Sequence, residues 1–260
     1  MPDTELVHLS CADGVATITL DSPANRNALS APLRAQLRAH LSSTATDDAV
    51  RVVVLAHTGP VFCAGMDLTE ARAGGTNTPG ISELPAILDS IWRHPKPVIA
   101  KLAGPARAGG VGLVAACDLA VAANSVTFAF TEVRIGVVPA VISVTVLARI
   151  STLAAQELFL TGETFTAQRA AQIGLLTAAV DSAALDQQVQ RYVTALMQGA
   201  PAALARTKQL LADQAGDATP ARYADMLAVS AAFFASPDAQ EGMAAFAEKR
   251  QPRWVPVRPA

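Results

Sequence analysis

The chain has 260 residues, of which 51% are apolar and 16% charged. That is enough for one domain with a large core and no need of disulfides. A formal net charge of −2 argues against nucleic acid or an anionic membrane as partner, while leaving room for local cations that hold a small phosphate. Three cysteines, Cys11, Cys63 and Cys117, with no CxxC spacing predict reduced, mostly buried thiols and no zinc site. Met1–Leu9 carries acids and no long apolar run, unlike a signal peptide. The most apolar later stretch, Gly136–Leu147, is too short to span a bilayer. The expectation is a soluble cytoplasmic protein.

Val7–Ser10 and Val15–Leu20 are β-rich runs around Ala12-Asp13-Gly14, a hairpin signal. A polar loop, Ser22–Ser30, follows. Ser30 is placed to cap a helix with Leu33, Leu37 and Leu41 at i, i+4 and i+8. Arg51–Ala56 reads as a strand buried on both faces. It empties into a small-residue loop, His57–Asp67. Ala73–Gly80 predicts a mobile surface loop able to act as a lid. Ser82–Arg93 reads as a helix and Pro97–Leu102 as a buried strand. A second small-residue loop, Ala103–Gly112, leads to a helix expected to start at Leu113. Asp118–Ala122 and Val126–Phe130 are short strands, and Thr131–Pro139 is a loop with an acid in apolar company. From Val141 helices dominate. Thr166 caps one that Gly174 ends, and Leu175–Val180 is a strand. Helices follow over Leu185–Met197, Pro201–Leu211, Thr219–Phe234 and Pro237–Phe246, with a basic, aromatic tail at Glu248–Trp254. Strands alternating with helices imply an α/β fold with a mostly parallel, buried sheet, and helices alone follow it. Phe233, Phe234, Phe246 and Trp254 are placed to cover the core or a neighbouring subunit.

The two small-residue loops share one design: strand, small residues, helix. If they meet, each offers a backbone N–H to one oxygen, and two preorganised donors aimed at an oxyanion are worth roughly 3–4 kcal/mol each. Small residues let a ligand approach the backbone. Ordinary turns explain the same composition equally well. The four histidines, His8, His40, His57 and His94, are scattered, and no metal site is expected.

Several segments together carry a specific resemblance: Asn27-Ala28-Leu29-Ser30, Phe62-Cys63-Ala64-Gly65-Met66-Asp67-Leu68, Lys96–Ala100, Ala108-Gly109-Gly110-Val111-Gly112-Leu113, Cys117–Ala122, Thr131–Gly136, Leu160–Glu163, Ala170–Leu175 and Glu248-Lys249-Arg250. In order and spacing over nearly the whole chain, the sequence resembles the crotonase (enoyl-CoA hydratase/isomerase) family. The resemblance implies a spiral of ββα units over residues 1–198 and a helical trimerisation region over 199–260. It implies a homotrimer or hexamer, an acyl-CoA thioester as substrate, and no cofactor beyond the coenzyme A that the substrate carries. By position, Ala64 and Gly109 supply the N–H groups that hold the thioester oxygen, and Glu132 is the acid/base. Arg26 matches a contact to CoA phosphate, and Met66 and Leu68 the backbone near the adenine. Ala28, Asp67, Gly110 and Gly112 fall in the same substrate-binding segments, Asp67 reading mainly as a helix cap. Phe246 and Lys249 resemble tail residues that close the CoA site from a neighbouring subunit.

One position departs from the family pattern. Many family hydratases carry a second glutamate three residues after the oxyanion-hole glycine; here that residue is Gly112. Gly-Gly-Val-Gly-Leu at this place is similar to the methylglutaconyl-CoA hydratase-like branch. Hydration of a 2-enoyl-CoA is therefore the leading reading, with double-bond isomerisation by one glutamate as the alternative. A non-catalytic acyl-CoA-binding protein keeps the fold without the chemistry. A dinucleotide-binding domain is the rival of another kind, since Gly110–Ala115 fits G-x-G-x-x-A between a strand and a helix. The span before Asp118 is short for a crossover helix. A serine peptidase fails because G-x-S-x-G is absent.

Overall fold

The computed structural model describes residues 4–70, 79–214 and 220–255. Strands β1 (Val7–Ala12) and β2 (Val15–Leu20) form the expected hairpin, with Ala12 paired to Val15. Asp13 and Gly14 both take positive φ, 50° and 79°, the backbone a two-residue type I′ turn requires. Strand β2 then pairs in parallel with β3 (Val52–His57), β3 with β4 (Val98–Leu102), β4 with β6 (Leu119–Ala123) and β6 with β9 (Ala178–Val180). The result is a six-stranded sheet in the order β1-β2-β3-β4-β6-β9. Two two-residue strands absent from the sequence reading, β5 (Ala106–Arg107) and β8 (Phe165–Thr166), flank β7 (Thr127–Ala129) in a second sheet. They are too short to leave a period-2 pattern. Strand β9 is shorter than expected because the N–H groups of Leu175 and Leu176 both donate to Ala170 O at the preceding helix exit.

The helices are α1 (Ala31–Thr46), α2 (Pro79–Trp92), α3 (Gly109–Ala116), α4 (Ala140–Val146), α5 (Thr152–Thr161), α6 (Ala167–Gln172), α7 (Leu185–Met197), α8 (Pro201–Gln214), α9 (Pro220–Phe234) and α10 (Pro237–Ala247). Leu33, Leu37 and Leu41 of α1 are buried, as their spacing predicted. Ser30 is the N-cap residue by backbone, but its hydroxyl is unpartnered and Glu70 Oε1 accepts the Ala31 N–H at 2.7 Å instead. Thr166 does cap α6, through the Arg169 N–H. Of the expected lid, residues 73–78 lie outside the described residues, while Pro79 and Gly80 open α2. Cys63 and Cys117 are buried; Cys11 is exposed, on the edge strand β1.

Helix α3 begins at Gly109, four residues before the expected start at Leu113. Glycines weaken a helix in isolation, yet here each makes room for a neighbour. A Cβ on Gly110 would lie 2.5 Å from Cys63 O, and one on Gly112 2.6 Å from Ile142 Cγ2. The G-x-G-x-x-A segment is therefore the buried interior of a helix, and the space a pyrophosphate would need is filled. Helix α10 docks on the turn Glu132–Ile135 of its own chain, and Gly136 (φ 74°) and Gly242 permit backbone contact there with Asp238 and Ile135. Among the described residues, no helix is long and apolar enough to cross a membrane.

Candidate active site

The two small-residue loops meet. Cys63 bridges Ala106 in parallel fashion, Arg107 N–H donates to Cys63 O at 3.0 Å, and Gly65 Cα lies 3.6 Å from where a Gly109 Cβ would stand. Ala108, at the entry of α3, has φ 47° and ψ −120°. A non-glycine residue rarely adopts that backbone, which marks a site where geometry is imposed from outside the loop. Gly109 occupies the first turn of α3, so its N–H has no intrahelical acceptor, and among the described residues it has no other backbone acceptor.

Ala64 differs from the expectation. Its N–H donates to Arg26 O at 3.1 Å. Arg26 and Asn27 both have positive φ, 59° and 52°, and this pair of left-handed residues turns the Arg26 carbonyl onto Ala64. Asn27, fully buried, locks the bend: Oδ1 accepts from Ser22 N at 2.6 Å, and Nδ2 donates to Thr58 O and Val61 O. Of the two expected oxyanion donors, Gly109 is open and Ala64 is engaged.

A cavity of about 630 Å³ opens at this junction. Arg26, Ala28 and Ala64 line it from one side, and Met66, Asp67 and Leu68 continue that wall. Gly109 and Glu132 lie in its lining, as does Phe246. Phe246 thus reaches the cavity of its own chain, since α10 is docked on the Glu132 turn. Gly110, Gly112 and Lys249 are not in the lining: the two glycines face Cys63 and Ile142, and Lys249 is exposed. Asp67 behaves as a cap, its Oδ1 accepting the Thr69 N–H at 2.9 Å.

Glu132 is 8% exposed, and its Oε2 is buried without a hydrogen-bond partner. It is held by a 3-10 turn, Glu132–Ile135, that Gly136 closes in the left-handed conformation. Burial among Val137, Val141 and Ile142 of the same wall penalises the carboxylate, and the Glu132 pKa is pushed up to about 7. Its acid is poised to exchange a proton at neutral pH. Ile142 occupies the space beside Gly112, so the position three residues after Gly109 carries neither a second carboxylate nor room for one. In the sequence Ile142 carries no signal beyond its place in the apolar stretch Gly136–Leu147.

Four arginines also line the cavity. Arg250 is paired with Glu241 and Glu248 at 2.7 and 2.6 Å, and Arg107 is held by Ala106 O, Thr127 O and the Thr127 hydroxyl. Arg26 and Arg134 have no acidic partner among the described residues. The cavity therefore combines open cationic groups, apolar walls, one buried and unpartnered carboxyl and an N–H at a helix start. Among the described residues no cluster of side chains fits a metal ion.

Comparison with known proteins shows the family and the fold. Residues 10–256 match the family model described as enoyl-CoA hydratase/isomerase. The structure of an enoyl-CoA hydratase from Mycobacterium avium superposes with a TM-score of 0.88 at 43% identity, over 97% of this chain and 100% of that one. A methylmalonyl-CoA decarboxylase complexed with 2S-carboxypropyl CoA gives a TM-score of 0.86 at 28% identity, over 98% and 100% of the two chains. The 2,3-dehydroadipyl-CoA hydratase of Escherichia coli is 30% identical over 239 residues, covering 92% of this chain and 94% of that protein. With the loops joined, the cavity formed and the match spanning nearly all of its length, the chain belongs to the enoyl-CoA hydratase/isomerase, or crotonase, family.

Proposed function

We propose that this protein adds water to a 2-enoyl-CoA with Glu132 as its only carboxyl acid/base. The observation that carries the reading is the unpartnered Glu132 carboxyl sharing a cavity with the open Gly109 N–H. Ionised Glu132 takes a proton from water as the water oxygen bonds to Cβ of the enoyl group. The C=C electrons move to the thioester oxygen, giving an enolate. Gly109 N–H stabilises that oxygen, joined by Ala64 N–H once it exchanges Arg26 O for the substrate. Glu132 then returns its proton to Cα, and a 3-hydroxyacyl-CoA results. Arg26 suits a CoA phosphate, the Met66–Leu68 segment the adenine, and Phe246 the mouth of the site.

The Ile142 side chain beside Gly112 favours a second reading, double-bond isomerisation, which needs one base to move one proton between two carbons. Incubation with 2-enoyl- and 3-enoyl-CoAs in heavy-oxygen water separates them. Label in a 3-hydroxyacyl product is expected for hydration; a moved double bond without label would replace hydration by isomerisation. Exposed Leu153 and Leu160 on α5, each 76% exposed, support assembly of this chain into a trimer or hexamer, which sedimentation velocity measures.

A further inference from the structure

We infer that Arg34 is a positioning residue for the oxyanion hole, a role that rests on the thioester-binding reading above. Arg34 lies on α1, outside the cavity lining, and its side chain is 1% exposed. Its guanidinium holds three separate segments. Nη1 donates to Leu29 O at 2.5 Å and to Glu70 Oε2 at 3.0 Å, and Nε donates to Glu83 Oε2 at 2.7 Å.

Those three segments are the ones that surround Gly109. A Cβ built on Gly109 would meet Leu29 Cδ1 at 3.3 Å, and Gly65 Cα and Leu84 Cδ2 at 3.6 Å each. Leu29 is the residue whose carbonyl Arg34 holds. Its own N–H donates to Gly65 O at 2.8 Å, and it bridges Met66. Leu84 follows Glu83 directly. Gly65 lies on the segment that runs through Asp67 to Glu70, whose other carboxylate oxygen caps α1 at Ala31. One buried planar fork thus ties together the segments that carry the three nearest neighbours of Gly109.

A planar guanidinium fixes distance and angle at several acceptors at once, which a flexible ammonium does not. Burying such a cation is costly unless it is paired, and here two carboxylates and a carbonyl pair it. An apolar side chain in this well-packed place would fill the same space more cheaply, so register of the three segments is what the charge provides. An oxyanion donor acts only when aimed at where the charge develops, and a misplacement of about 1 Å costs on the order of 100-fold in rate.

The test compares wild type with Arg34→Met, Arg34→Lys, Glu70→Ala and Glu83→Ala. It reads kcat and KM for a 2-enoyl-CoA and the infrared C=O stretch of bound carbonyl-labelled butanoyl-CoA. Hydrogen bonds to the thioester oxygen lower that frequency. Arg34→Met is expected to lower kcat about 10- to 100-fold with KM changed less than about threefold, and to lose most of the downshift. Arg34→Lys recovers part of both. Glu70 and Glu83 are only partly buried, so their variants fold even if Arg34→Met does not, and each is expected to lower kcat severalfold with a smaller downshift. Folded variants with full downshift and wild-type kcat would overturn the role of Arg34. Absence of any downshift in the wild type would instead overturn the thioester-oxyanion reading itself.

Discussion

Two buried ionisable groups in different parts of the molecule have similar burial and opposite settings. Glu132 in the cavity wall is 8% exposed and its Oε2 has no partner. Lys208 on α8 is 7% exposed, and its Nζ donates to Asp118 Oδ2 at 2.7 Å, Ile91 O at 3.1 Å and Lys96 O at 3.3 Å. Burial pushes both groups towards their neutral forms. For Lys208 the Asp118 carboxylate opposes that push, and the result is a tie between α8, the end of α2 and the start of β6. For Glu132 no countercharge intervenes, and the result is a proton held loosely near pH 7. Burial with partners makes an attachment; burial without them makes an acid/base.

The comparison breaks most visibly at Glu132. Glu132→Gln is expected to lower turnover by about 10²–10⁴-fold, the range of general acid–base catalysis, while acyl-CoA binding by calorimetry persists. Wild-type turnover in that variant would remove Glu132 from the chemistry. Because the free enzyme must present the carboxylate, kcat/KM is expected to fall with unit slope as pH drops below about 7.

The same group costs stability. Its folded pKa is raised from 4.5 to about 7, so the folded state binds the proton more tightly than the unfolded chain. That contribution is fully present below the unfolded pKa and is lost as pH rises through the folded one. Glu132→Gln, which imitates the protonated form, should therefore be more stable than wild type at pH 8, by on the order of 3 kcal/mol. The gap should close below about pH 4.5. Urea titrations at the two pH values measure it, and a pH-independent gap would contradict the raised pKa.

Lys208→Ala should show the reverse profile. Leaving Asp118 with the Val98 N–H but without its ammonium partner costs about 2 kcal/mol, below the range for fully buried pairs because Asp118 is 27% exposed. Turnover per folded molecule stays within twofold. A large loss of kcat at full stability would show that the tie also serves the site. The smallest effect is expected at Gly112→Ala, whose Cβ meets Ile142 Cγ2 at 2.6 Å. A loss of about 1 kcal/mol should be relieved in part when Ile142→Ala, which removes that Cγ2 methyl, is added. Additive losses in that double-mutant cycle would mean the two residues do not compete for one space.

Much of this was legible from local sequence. The Asp13-Gly14 turn, the α1 leucine stripe, the Thr166 cap and helix α7 over Leu185–Met197 each follow from residues within one turn or hairpin. So did the small-residue loops and the single acid in apolar company at Glu132. Less legible were strands β5 and β8, with two residues each, and the early start of α3, where three glycines argued against a helix. Arg34 carried no signal at all. On the sequence it is one cation in the polar part of an amphipathic helix, and its three acceptors come from residues 29, 70 and 83.

What the sequence determined by itself is therefore the order of the longer elements, the family and the place of one acid in apolar company, because these depend on near-neighbour spacing and on a motif run along the whole chain. What only the tertiary structure decided is what each small residue is for. Gly109, Gly110 and Gly112 are the same residue on paper. In the fold the first presents a free N–H to the cavity, the second admits the Cys63 carbonyl, and the third admits Ile142. A missing side chain has no chemistry of its own, so its role is set by whichever distant atom fills the space beside it.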